Sequence, residues 1–182
     1  MYIEHLIYSA ALAIIIGMVF LRYTGRDQAW LIVPISLVPD LDHLNNIIWE
    51  LGMMDSPQRL IPYLSIGWFH NLLGVITISI GIAALLSQFK IRFFDAMIYS
   101  LIGCSAHLFA DYISYPPSYS FLYPLSPTKY GINILPETGN AIIGDTTIIG
   151  IGLIVLCISI GVRYYVTSNG LTTKKDIVGE KE

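Results

Sequence analysis

Every histidine in this chain stands in a short cluster with a carboxylate or at the edge of an apolar run: Glu4-His5, Pro39-Asp40-Leu41-Asp42-His43, His70-Asn71 and His107-Leu-Phe-Ala-Asp111. His107 and Asp111 are four residues apart in a helical segment, so both side chains fall on one face. Asp40 and Asp42 flank a leucine after a proline, where an extended backbone would point both carboxylates the same way, with His43 adding a nitrogen. Imidazole and carboxylate donors without thiolate suit a divalent metal, zinc foremost, with manganese or iron as alternatives. The expected ligand set is His5, Asp40, Asp42, His43, His70, His107 and Asp111, His43 serving as ligand or as a donor behind the ligands. A carboxylate left free of the metal, Asp42 or Asp111, is the expected general base.

Each cluster also has a plainer reading. His70 alone could be a hydrogen-bonded packing residue, Asp40 and Asp42 could cap a following helix, and His107 with Asp111 could be an intrahelical polar pair. Glu4 reads as a ligand, a base or an exposed terminal residue, and Asp145 as a helix N-terminal charge or an extra ligand. Ionisable groups inside a membrane are costly, however, which favours one shared site over separate explanations. A non-enzymatic metal-binding or ion- or proton-transport protein would use the same residues. Haem held by His70 and His107 would leave the carboxylates unexplained.

The elements that must position these groups are membrane helices. The chain has 182 residues, is 54% hydrophobic and only 13% charged, with a mean hydropathy of +0.64. That composition belongs to integral membrane proteins. Apolar segments run over 5–21, 30–38, 63–89, 93–112 and 141–164. The expected fold is therefore an all-α membrane protein, a single helical bundle of about five transmembrane segments over residues 1–166. The second segment, short and carrying Pro34, is expected to be broken or re-entrant, or to cross with help from its flanks. Residues 167–182 read as a flexible, polar, cytoplasmic tail.

With five crossings and the N-terminus outside, eight of the ten Lys and Arg residues fall inside, and only Arg59 and Lys129 outside. That agrees with the positive-inside bias. It also brings all four histidine clusters to the outer side, with His70 about two turns into the third span. The long connections 41–62 and 113–140 lie on that side. Tyr112, Tyr115, Tyr119, Tyr123 and Tyr130, with Trp49 and Trp68, read as an interfacial aromatic population.

Several classes are excluded. The net charge of −3 and the lack of a basic stripe speak against nucleic acid as a partner. No HExxH, GxSxG or Walker pattern is present. Cys104 and Cys157 form no CxxC pair and read as small core residues, Cys104 being a remote candidate ligand. Glycines 144, 150, 152 and 161 suggest close helix packing.

The early His5, the PDLDH box at 39–43, His70, the HxxxD pair at 107–111 and Tyr123-Pro-Leu-Ser-Pro127 together resemble the membrane-bound metal-dependent hydrolases, including the LexA-regulated inner-membrane type. The resemblance spans roughly residues 1–130 and implies a divalent metal site and a hydrolytic activity. It departs from the family pattern before His70, where a His-Arg pair is replaced by Ser65-Ile-Gly-Trp-Phe-His-Asn71. That implies one ligand and one cation fewer. A site at headgroup depth makes membrane lipids the expected partners, and a phospholipid or lipid-linked phosphoester the expected substrate.

Overall fold

The structure, a computed structural model, describes residues 2–43, 48, 51–53, 69–133 and 146–169. Among these the chain is all-helical. Its α-helices are α1 (Tyr2–Thr24), α2 (Ile32–Ile35), α3 (Leu72–Ser87), α4 (Phe93–Ser114) and α5 (Thr146–Ser168), with 3-10 turns at Ala29–Leu31 and Pro39–His43. The described residues contain no strand beyond one isolated bridge between Tyr119 and Tyr130.

Three helices, α1, α4 and α5, are long and apolar enough to cross a membrane. α3, with 16 residues, is about 24 Å long. Three of the five expected segments, 5–21, 93–112 and 141–164, thus reappear as helices of spanning length, α5 continuing to Ser168, while the third corresponds to the shorter α3 and the second to no long helix. Arg59, Lys174, Lys175, Lys181, Trp49, Trp68, Gly144 and Asp145 lie outside the described residues, as does most of the expected tail. Large apolar side chains such as Ile154 and Ile158 of α5 are about 60% exposed (63% and 60%). Such a surface would be anomalous in water, whereas a bilayer solvates it.

The chain forms two compact units, one made of Met1–Ile35 with Thr138–Glu182 and the other of Ser36–Glu137. In the first, α1 packs along α5, and the Ala29–Leu31 turn and α2 pack on α1. Gly152 permits the close approach, since a Cβ there would lie 3.0 Å from Ile7 Cγ2. Gly150 and Gly161 face open space instead, so they do not serve the packing expected of them. The Arg163 guanidinium donates to Asp27 Oδ2 at 2.7 Å, while Asp27 Oδ1 accepts the Ala29 backbone N–H. Of the outcomes open for the second apolar segment, the structure shows a broken one. Pro34 lacks the N–H that would extend the helical ladder, and turn residues 36–38 separate α2 from the next 3-10 turn.

In the second unit α3 and α4 form a helical hairpin closed by a short turn, in which Lys90 takes φ 65°. The buried stripe of α3 is Val75, Ser79 and Ala83, and that of α4 includes Ala96, Ser100, Gly103 and Cys104. Small residues at this spacing let two helices approach closely where lipid supplies no hydrophobic drive. Cys104 is buried against Ser79, consistent with a packing role. Cys157 is exposed and so is not the core residue expected.

Residues 115–133 fold back over the open end of the hairpin. Tyr130 N–H donates to Tyr119 O, Ile132 N–H to Tyr112 O, and Leu72 N–H to Phe121 O at 2.8 Å. Gly131 makes the fold-back feasible, because a Cβ there would sit 2.5 Å from the Tyr115 carbonyl oxygen and 2.6 Å from that of Pro116. No side chain fits between two backbones so close.

Candidate metal centre

The hairpin itself assembles half of the site. His70 lies twenty residues before Lys90 at the turn, and His107 and Asp111 lie seventeen and twenty-one after it. Antiparallel helices bring residues equidistant from their turn together. His70 does not sit two turns inside a helix, as expected, but in the bend just before α3. Asn71 caps that helix, its Oδ1 accepting the Gly74 N–H at 2.8 Å. Asn is a strong N-cap, so the helix starts where the ligand ends. His107 and Asp111 occupy successive turns of the buried face of α4, as their spacing indicates.

The PDLDH box is not extended; it forms one 3-10 turn, Pro39–His43. With three residues per turn, positions two apart point in different directions. Asp40 and Asp42 therefore do not present their carboxylates in parallel but approach opposite edges of the same imidazole. Asp42 Oδ2 lies 3.1 Å from His70 Nδ1 and also accepts the Phe69 backbone N–H at 3.1 Å. Asp40 Oδ1 lies 3.7 Å from His70 Nε2.

On the Nε2 side four donor atoms converge. His70 Nε2 is 3.3 Å from His107 Nε2 and 3.3 Å from Asp111 Oδ2. His107 Nε2 is 3.4 Å from Asp40 Oδ1 and 3.5 Å from Asp111 Oδ2. His70, His107 and Asp111 are buried. A carboxylate can only accept, so Asp42 places the proton of a neutral His70 on Nδ1 and turns the Nε2 lone pair toward the other donors.

Charge balance within the cluster calls for a cation. Burial presses His70 toward its neutral form, but the facing carboxylates of Asp111, Asp40 and Asp42 outweigh it and raise its pKa from 6.5 to about 11. Without another cation, a proton occupies the centre. His43 behaves oppositely. Burial lowers its pKa, and the neighbouring His70 lowers it further against the pull of Asp42, Asp40 and Asp111. Its Nε2 lies 3.4 Å from Asp42 Oδ1 and 3.4 Å from the Tyr119 hydroxyl. Asp40, His43 and His70 form a second grouping with ligand atoms within 4.8 Å of one another. These buried His and Asp groups could hold a metal ion.

His5 belongs to the first unit, where it is buried in the opening turn of α1 with Nδ1 3.2 Å from the Tyr8 hydroxyl. Glu4 beside it is buried rather than exposed. Tyr119 is a residue that motif reading missed. Its ring stacks on His70 with centroids 4.6 Å apart and planes 16° apart. Its sequence context places it among the interfacial tyrosines, and nothing in its local pattern marks it otherwise.

Over residues 1–170 the chain matches the family model described as YdjM inner membrane protein. It belongs to that family. Together with the apolar spans, this makes it an integral membrane protein of an inner-membrane family. The family description names no activity, so the hydrolase part of the sequence resemblance stays outside what the match shows. No curated protein and no solved structure matches the chain.

Proposed function

We propose that this protein is a metal-dependent hydrolase, with zinc as its metal, acting on a phosphoester at the outer face of the membrane. The observation that carries the reading is the spacing of the four converging donors. A tetrahedral zinc with ligand bonds of about 2.0–2.1 Å has ligand–ligand edges of roughly 3.3–3.4 Å. Five distances among His70 Nε2, His107 Nε2, Asp40 Oδ1 and Asp111 Oδ2 fall between 3.3 and 3.7 Å. A bound divalent metal supplies two things, a water of near-neutral pKa and polarisation of the scissile bond.

The chain's own groups do the rest. Asp42 fixes the tautomer and orientation of His70 from behind, as carboxylates do for ligating imidazoles. With both its oxygens turned to histidines, Asp42 suits orientation better than proton transfer, which leaves Asp111 as the better general base of the two; His70, His107 and Asp40 would then be the three protein ligands, with the place beside Asp111 left to water. Hydrolysis adds water across a P–O bond: oxygen joins phosphorus, the ester oxygen leaves, and Asp111 relays the water's proton toward the departing alcohol. The N-out, C-in orientation that puts this site in the outer leaflet is supported by the Lys and Arg asymmetry.

The test is metal content and phosphoester turnover of purified protein, with and without a chelator, for wild type and His107→Ala. Near-stoichiometric zinc, chelator-sensitive turnover, and loss of both in the variant are expected. A folded wild type that takes up no divalent metal would overturn the reading. Metal with no turnover on any phosphoester would favour the ion-binding or transport alternative, and a Soret band would indicate haem.

A further inference from the structure

Beside the donor cluster the second unit carries a cleft of about 760 Å³, whose lining includes Phe69, Asn71, Leu73, Thr77, Tyr119 and Lys129. That volume lies in the usual range for small-molecule sites, roughly 300–1,000 Å³. Part of its lining adjoins the metal centre. Phe69 and Asn71 flank His70 in sequence, and the Tyr119 ring that lines the cleft stacks on the His70 imidazole. Tyr119 is thus common to the cleft and to the surroundings of the cluster.

Along its side, the cleft adjoins an exposed apolar face of α3. Leu73 is 50% exposed, and Leu72, Ile76 and Ile80 of the same helix are exposed to a similar degree. An occupant reaching the cleft along this face must therefore carry apolar substance.

The polar groups narrow the choice further. The Thr77 hydroxyl donates to the Leu73 carbonyl at 2.8 Å, and the Ser120 hydroxyl donates to the Pro127 carbonyl at 2.8 Å. Asn71 Oδ1 is engaged by the Gly74 N–H. These donors and acceptors already have partners in the chain's own backbone. Among the described lining residues, Lys129 alone carries a charge, and it is positive. Apolar wall, one ammonium and an adjoining metal centre describe a receptor for an anionic amphiphile.

We propose that this cleft is the substrate groove of the same centre, and that it admits a phosphate-bearing anionic membrane lipid laterally from the bilayer. The acyl chain would lie along the Leu73 side of α3, and the headgroup charge against Lys129. This rests on the hydrolase reading for its catalytic meaning, but the binding claim stands on the cleft alone.

Native mass spectrometry of the full-length protein in detergent tests it, titrating phosphatidylglycerol, phosphatidylcholine and inorganic phosphate, with bound metal measured on the same samples. Phosphatidylglycerol should bind in preference to phosphatidylcholine, and Lys129→Glu should reduce that preference about five-fold or more, the factor expected for one lysine–headgroup contact. Lys129→Arg should restore it. Thr77→Trp, which fills the cleft from an exposed helix position, should weaken both lipids. Inorganic phosphate should compete with neither.

Unchanged lipid preference in Lys129→Glu, or unchanged binding in Thr77→Trp, would overturn the proposal. So would displacement of the lipid by inorganic phosphate alone, which would reduce the cleft to an anion site. Helical circular dichroism identifies any variant that fails to fold, and the arginine variant then carries the charge test. Lipid selectivity that follows the variants in a protein without metal would uphold the groove and sink the hydrolase. Metal and turnover without such selectivity would do the reverse.

Discussion

Asp42→Asn separates a metal ligand from the group that aims one. The asparagine is nearly isosteric, and its side-chain oxygen can still accept the N–H groups of Phe69 and His70 that Asp42 Oδ2 holds at 3.1 Å each. What is lost is the negative charge behind the imidazole. The Nδ1–H contact ceases to be charge-assisted, which roughly halves its strength, and Nε2 becomes a weaker base toward the metal. Removal of such an orienting partner typically lowers metal affinity about 10–100-fold, or ~1.4–2.7 kcal/mol. His107→Ala deletes a donor that faces His70, Asp40 and Asp111 at once and must cost more. Zinc competition titration with a chromophoric chelator measures both on purified protein. The expected order is wild type, then Asp42→Asn, then His107→Ala. Zinc affinity in Asp42→Asn equal to wild type would refute the orienting role, and a loss as deep as that of His107→Ala would make Asp42 a ligand.

Protons compete with metal for the same centre. Because His70 holds its extra proton up to about pH 11 in the metal-free protein, metal must displace it at any lower pH. Apparent zinc affinity should then rise about tenfold per pH unit between about pH 6 and 8, and a flat profile measured by the same titration would argue against it. Asn71→Ala removes the cap of α3 and should cost ~1 kcal/mol, read as a lower melting temperature in detergent. It should loosen zinc as well, since the capped turn carries His70. Gly131→Ala forces the 115–116 backbone away, and overpacking of this kind costs about 1–3 kcal/mol. Thermal unfolding should show that loss, and weakened lipid binding should accompany it because Tyr119 rides on the displaced segment.

How much of this was legible in the sequence depends on the range of the interaction concerned. The long helices are continuous apolar runs, and hydropathy alone locates α1, α4 and α5, since no tertiary contact is needed to make such a segment helical in lipid. The pairing of His107 with Asp111 follows from helical period. The approach of His70 to that pair could have been read as well, by counting outward from the short turn at Lys90. The PDLDH box was harder, because a five-residue segment with two aspartates and a proline fits an extended strand, an N-cap or a 3-10 turn equally well. Only its packing selects the last of these. That selection has chemical consequences: an extended box would give two parallel ligands, whereas the turn divides the carboxylates between the two edges of His70, one facing the donor cluster and one behind the ring. Tyr119 was legible in no local pattern, since its place is set by a chain reversal that depends on Gly131 and on a backbone hydrogen bond from Leu72 to Phe121. The same reversal that stacks a ring on the ligand also builds the wall of the cleft. A change that opens the cleft on this wall must therefore disturb His70, and on that side substrate size and metal affinity should prove hard to alter independently.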